Sequence, residues 1–234
     1  MVKTLVAVGC SYTDNAWPFP VWPEVLSEKL NLKCVNIGKC GAGNEYIFSR
    51  GLDALHTEKN IGMMVIMWSE FQRMDWYKEN DMWENMHFDV GGVIRNREKW
   101  KQDIINSLNT HGLDSKKHQI CRTLRFMYTL QTIAEINDIP FIQLVGAQPC
   151  SNDENYNAAK IILDSPYFDL ITAIGWPIIY SIGGWCIDNW LDEVDENENG
   201  NRSDSNLRIS RSDSHPNKEG HEKIAEYLYK EITR

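Results

Sequence analysis

Apolar residues cluster along this chain in short continuous runs, not in the alternation of a half-exposed strand. Leu5-Val6-Ala7-Val8, closed by Gly9, and Met63-Met64-Val65-Ile66-Met67-Trp68 read as strands buried on both faces of a parallel sheet. Cys34-Val35-Asn36-Ile37-Gly38 is a shorter strand, residues 141–145 form another after Pro140, and Ile178-Ile179-Tyr180-Ser181-Ile182 is expected as a fifth. Between these runs the apolar period lengthens to that of a helix. Residues 22–30 are helical, and within 41–55 a turn leads into a helix with Ile47, Gly51, Leu52 and Leu55 on one face. A stripe of Leu124, Met127, Leu130, Ile133 and Ala134 marks 119–136, and residues 155–163 fit a shorter helix. The last helix, 216–233, opens on Pro216 and carries Ile224, Ala225, Leu228 and Ile232 at helical spacing. Strands alternating with helices predict an α/β fold, a doubly wound and mostly parallel sheet of five strands with ligands at the carboxyl ends of the strands.

Two segments stand apart from that rhythm. Residues 71–115 mix polar and aromatic side chains without clean periodicity, which predicts an insertion over the sheet instead of a core layer. Residues 192–206 are acidic and poor in apolar side chains, so an exposed loop is expected there. At 234 residues, 42% hydrophobic and 24% charged, the chain 1–234 is sized for one such domain. A net charge of −9 argues against a nucleic-acid partner, because binding a phosphate backbone rests on Lys and Arg. No apolar run approaches the roughly 20 residues that span a bilayer, so no membrane association is expected. Met1-Val2-Lys3 leads into the first strand without an apolar leader, which predicts a cytoplasmic protein; carriage in a virus particle is compatible with that. Cys10, Cys34, Cys40, Cys121, Cys150 and Cys186 include no Cys-x-x-Cys pair and are expected as reduced thiols, with neither a zinc site nor a disulfide framework. His56, His87, His111 and His118 have no metal-ligand spacing either, and no cofactor is called for.

The candidate chemistry lies at the two ends of the chain. Ser11 follows Gly9-Cys10 at the mouth of the first strand, where its hydroxyl would project at the carboxyl edge of the sheet. A serine hydroxyl is a weak nucleophile until an adjacent base takes its proton, and that base needs a third group to hold its tautomer. In Asp213-Ser214-His215-Pro216, just before the last helix, His215 supplies a base and Asp213 an orienting carboxylate. Each motif also has a plain structural account, as a tight turn and as a helix cap.

Together these motifs resemble the SGNH, or GDSL-type, hydrolase family. Gly9-Cys10-Ser11 is similar to the family's Gly-Asp-Ser nucleophile segment, and Asn36-Ile37-Gly38-Lys39-Cys40-Gly41 to its Asn-x-x-x-x-Gly segment. Asp213-Ser214-His215-Pro216-Asn217, followed by Gly220-His221, resembles the closing Asp/His segment. Trp68-Ser69 after the third strand and Arg73 beyond it look most like members encoded by bacteriophages. The resemblance implies a flavodoxin-like, three-layer α/β/α fold. It implies hydrolysis of a short-chain or acetyl ester, on a small molecule or a glycan, through an acyl-enzyme on Ser11; acyl transfer to a hydroxyl would use the same residues. Ser11, Asp213 and His215 are then the catalytic residues. The backbone N–H groups of Ser11 and Gly41 become oxyanion donors, since a glycine leaves its N–H unobstructed.

Three departures qualify that picture. Cys10 stands where the family has aspartate. Asp213 and His215 are one residue closer than the family's Asp-x-x-His, so either altered backbone geometry joins them or another group orients the base. Met67-Trp68-Ser69-Glu70-Phe71 lacks the asparagine that completes the family's oxyanion hole, and an ionised Glu70 would repel an oxyanion. Asn44, in the glycine-rich turn beside Gly41, is the preferred replacement, with Ser69 as the alternative; a simpler account has Asn44 capping the following helix. A second reading therefore stays open: an SGNH-like domain that binds a glycan or a protein without chemistry, as in a virus particle. Arg73 is expected to pair with Glu70 at the surface. Of the nine tryptophans, one or two are expected to line the cleft, and His221 to pack or cap locally. Asp195-Glu196-Asn197-Glu198-Asn199-Gly200 matches the first half of a calcium loop, but Arg202 and Asn206 break the second half, so a solvated loop is expected.

Overall fold

The continuous apolar runs become the central strands in the computed structural model, which describes residues 2–79, 82–87, 99–113, 115–150, 155–195, 205–210 and 212–234. In chain order the elements begin with β1 (Thr4–Gly9), α1 (Trp22–Lys29), β2 (Lys33–Asn36), α2 (Asn44–Thr57) and β3 (Ile61–Trp68). There follow β4 (Arg73–Tyr77), β5 (Trp83–His87), α3 (Lys99–Thr110), α4 (Lys116–Ile136), β6 (Phe141–Val145) and α5 (Asn155–Leu163). The chain ends with α6 (Ile187–Val194), β7 (Arg208–Ser210), β8 (Asp213–Pro216) and α7 (Lys218–Thr233).

The central sheet has the order β2-β1-β3-β6, with every pairing parallel. Val6 pairs with Val35 on one side and Met64 on the other, and Trp68 pairs with Val145. Parallel neighbours require crossovers, which the helices supply. α1 packs against α7 and α2 against α4, so two helical layers enclose the sheet in an α/β fold. Every residue of β1 is buried, and Leu5, Met64, Ile66, Leu124, Met127 and Leu130 are wholly enclosed. Burying a side chain of this size contributes about 1.5–3 kcal/mol. From β1 the chain steps outward to β2 and then returns to the far side of β1 for β3. This reversal of strand order opens a crevice at the carboxyl ends of β1 and β3, the ends that Ser11 and Ser69 follow.

Several expectations change. Ile178-Ile179-Tyr180-Ser181-Ile182 is not a fifth strand: Ile178 takes φ +63°, which breaks an extended run, and Tyr180–Ile182 forms a turn of 3-10 helix. The apolarity of that stretch comes from Ile178 and Ile179 being buried in a loop. The described central sheet therefore has four strands. Within 71–115, β4 and β5 form an antiparallel hairpin, and Phe71, Arg73 and Asp75 at its root are buried; residues 80–81, 88–98 and 114 lie outside the described residues. Asp192 belongs to α6 and not to a loop, and 196–204, with most of the calcium-like run, are also outside them. Pro216 closes β8 instead of opening the last helix, whose cap is Asn217: its Oδ1 accepts the Gly220 N–H at 3.0 Å. All six cysteines are free, with Cys40 exposed. No helix among the described residues is long and apolar enough to cross a membrane.

Candidate active site

β1 carries Ser11 to the carboxyl edge of the sheet, and the N–H groups of Thr13 and Asp14 both donate to the Cys10 carbonyl, closing a tight turn around it. His215 Nε2 lies 2.8 Å from Ser11 Oγ. On the far side of the ring, His215 Nδ1 lies 2.6 Å from Asp213 Oδ1, which also accepts the His215 backbone N–H at 3.1 Å. Partial desolvation works to raise the Asp213 carboxyl, but the hydrogen bonds from His215 outweigh it and hold the group below the usual aspartate value. An ionised Asp213 places the imidazole proton on Nδ1, which leaves Nε2 as acceptor for the Ser11 hydroxyl. The short Asp-x-His spacing works because both residues lie on β8. In a strand, side chains two apart project to the same face. Tyr12 and Trp17 flank the imidazole with ring centroids 5.6 Å away, so Trp17 is the tryptophan beside the base.

The oxyanion segment is tied to the nucleophile turn by side chains that carried no assigned role in the sequence. Asn36 Nδ2 donates to the Thr13 carbonyl at 2.7 Å and Asn36 Oδ1 accepts the Gly38 N–H at 2.9 Å. Asp14 Oδ2 accepts the Cys40 N–H at 2.6 Å. Gly38 permits this approach, since a Cβ there would lie 2.5 Å from the Thr13 backbone. Gly41 takes φ +76°, a conformation that favours glycine. The N–H groups of Ser11 and Gly41 have no hydrogen-bond partner among the described residues.

Of the two side chains expected to complete the hole, Asn44 has no proton to spare. Asn44 is fully buried and its Nδ2 is shared among the Ser69 carbonyl, the Glu70 carbonyl and Thr123 Oγ1, while its Oδ1 accepts the Ser69 N–H. With two amide protons and three acceptors, it has none left for an oxyanion. Nor does it cap α2: Asp75 does, accepting the N–H groups of Gly43 and Tyr46 at 2.8 and 2.9 Å from the hairpin. Ser69 Oγ is enclosed and has no partner among the described residues. Arg73 does pair with Glu70, at 2.9 Å, but not at the surface. The guanidinium is buried and its Nη1 also donates to the Ala42 carbonyl. Cys10 is buried in the core.

Behind Ser11 and His215 lies a buried polar cluster, Tyr12, Asp188 and Arg208, with Asp192 at its margin. Tyr12 lies 176 and 196 positions from Asp188 and Arg208 in the chain, so no local pattern marks the cluster. A cavity of about 340 Å³ opens beyond the carboxyl end of β6, lined by Gln148, Cys150, Ile178, Ile179, Ser181 and Asn189 among others. No group of three or more His, Cys, Asp or Glu among the described residues is placed to hold a metal ion.

No protein-family model matches this chain, and no curated protein matches it in sequence. Solved structures do match in fold. A Desulfitobacterium hafniense DCB-2 protein assigned to the G-D-S-L lipolytic family superposes with a TM-score of 0.53 at 16% identity, covering 97% of this chain and 98% of its own. A member of the lipolytic protein G-D-S-L family from Veillonella parvula DSM 2008 gives 0.46 at 11% identity, with both chains covered completely. The first similarity establishes a shared α/β fold over nearly the whole chain. These neighbours are bacterial and lend nothing to the likeness to bacteriophage-encoded members.

Proposed function

We propose that the protein is a serine esterase of the SGNH type, hydrolysing a short-chain carboxylic ester through an acyl-enzyme on Ser11. The observation that carries this reading is the relay Ser11–His215–Asp213, hydrogen-bonded end to end at 2.8 and 2.6 Å on the carboxyl edge of the sheet. His215 Nε2 takes the Ser11 proton as Oγ attacks the acyl carbon. The tetrahedral oxyanion then faces the N–H groups of Ser11 and Gly41. His215 returns the proton to the departing alcohol, and water deprotonated by the same nitrogen releases the acid. The pairing of Glu70 with Arg73 offsets the negative charge near that hole. Trp17 offers a flat apolar face beside the base for the alcohol portion, a sugar ring included.

The competing reading, a glycan- or protein-binding domain without chemistry, draws on the oxyanion side, where Asn44 has no proton to spare and Ser69 Oγ is enclosed. Hydrolysis of a p-nitrophenyl ester series, with fluorophosphonate labelling, separates the two. We expect turnover of the acetate and butyrate esters, falling with longer chains, and loss of both turnover and labelling in Ser11→Ala and His215→Ala. An absence of turnover with every ester, or labelling that persists in Ser11→Ala, overturns the esterase.

A further inference from the structure

Arg208 is 3% exposed, and its guanidinium touches both halves of the candidate site. Its Nη1, with two protons, faces three acceptors: the Ser214 carbonyl at 2.7 Å, next to His215, Asp188 Oδ1, and Tyr12 Oη at 3.1 Å, next in sequence to Ser11, which shares a proton with one of the others. The same nitrogen donates to Asp188 Oδ1 at 2.7 Å, and the Tyr12 hydroxyl donates to that oxygen at 2.7 Å. Nη2 donates to the Asp188 carbonyl and to Asp192 Oδ1, both at 2.8 Å, anchoring the guanidinium on α6. α6 is fixed in turn to the sheet edge, where the Asp188 N–H donates to the Gly146 carbonyl at 2.9 Å. Ser11 and His215 approach from opposite ends of the chain, on a turn after β1 and on the short hairpin β7–β8. Among the described residues that hairpin pairs at two positions, and Asn217 adds bonds to the Asn206, Leu207 and Arg208 carbonyls at the end away from the site; a two-stranded hairpin of this length is marginal by itself.

We infer that Arg208 is a positioning residue, which sets the separation of Ser11 Oγ and His215 Nε2 by gripping Tyr12 on the nucleophile side and the Ser214 carbonyl on the base side. Proton transfer between the two depends on hydrogen-bond reach, and misplacement on the order of 1 Å costs roughly a hundredfold in rate. The planar fork is what allows one cation to hold acceptors on three elements, and lysine, a point donor, cannot reproduce it. Asp213 and His215 sit on one strand, so their own bond does not depend on the clamp.

The inference rests on the esterase reading and is tested beside it. The second-order rate of fluorophosphonate labelling of Ser11 and kcat and KM for p-nitrophenyl acetate are measured for wild type, Arg208→Lys and Tyr12→Phe. Chemical denaturation and the downfield proton NMR signal of the Asp213–His215 hydrogen bond accompany them. Tyr12→Phe keeps the ring against His215 and the Arg208–Asp188 pair, cutting one arm of the clamp. It remains informative if Arg208→Lys does not fold. We expect labelling and kcat to fall at least tenfold in each folded variant, with KM within about twofold and the downfield signal retained. Labelling and kcat within twofold of wild type in Tyr12→Phe would overturn the clamp while leaving the esterase standing. A wild type that neither labels nor turns over ester removes both.

Discussion

At the scale of single residues, the site depends on which polar atoms have partners already. Asn44 and Ser69 adjoin the same crevice in opposite conditions: the amide of one has more acceptors than protons, and the hydroxyl of the other has no partner among the described residues. Removing Asn44 takes the side-chain partner from the Ser69 N–H and the Ser69 carbonyl in the interior, at about 1–3 kcal/mol for each group left unsatisfied. Removing the Ser69 hydroxyl deletes an atom that is itself unsatisfied. We therefore expect Asn44→Ala to lose about 3 kcal/mol or more in urea denaturation, and Ser69→Ala to stay within about 1 kcal/mol of wild type. Ester turnover gives the second half of the test. An oxyanion donor is worth roughly 10²–10³ in kcat, so Ser69→Ala should retain activity within threefold if the hole consists of two backbone N–H groups. A hundredfold loss in a stably folded Ser69→Ala would return Ser69 to the hole.

At the scale of elements, the hairpin β4–β5 is part of the site's foundation, because Asp75 caps the helix that begins just after Gly41. The carboxylate lies at the positive end of α2 and satisfies two of its first N–H groups. Asp75→Ala should therefore lower stability by about 2 kcal/mol, at the upper end for a cap because the site is buried. It should also weaken protection of the Gly43 and Tyr46 amides in hydrogen exchange, while leaving amides of α7 unchanged. Uniform protection across both helices would show that the cap is not local. This cap also marks the limit of legibility in the sequence. β1, β3, β6, α4 and α7 announce themselves, because a strand or helix with a buried face needs apolar residues at a fixed period and these have them. Ser11, Gly41 and His215 are legible from short motifs joined to that pattern. β7 and β8 are not, being three and four residues long with mostly polar side chains. The Asp75 cap and the Arg208 clamp are contacts between distant segments, and Ile178-Ile179 shows the converse error, apolarity that serves loop packing and not a strand.

At the scale of the whole molecule, α7 closes the fold by bringing His215 and its hairpin back to β1, and the seam it makes with α1 holds a buried histidine. His221 is fully enclosed; its Nδ1 accepts the Trp22 N–H at 3.3 Å, the Phe19 ring lies 5.9 Å away, and its Nε2 has no partner among the described residues. Burial, with a smaller contribution from nearby His215, pushes its pKa down to about 3. In the unfolded chain the same imidazole titrates near 6.5. Between those values the unfolded state takes up a proton that the folded state refuses, so stability is full above about pH 6.5 and falls as the solution is acidified toward pH 3. The slope approaches 1.4 kcal/mol per pH unit, or about 2 kcal/mol between pH 7 and pH 5. His221→Gln keeps an acceptor within the seam for the Trp22 N–H and cannot titrate. Urea denaturation of both proteins at pH 7 and pH 5 isolates the residue, because every other carboxylate and histidine is common to them. We expect the wild type to lose about 2 kcal/mol more than the variant over that interval. Equal losses would mean that His221 gains its proton in the folded state, and that the seam between α1 and α7 admits water.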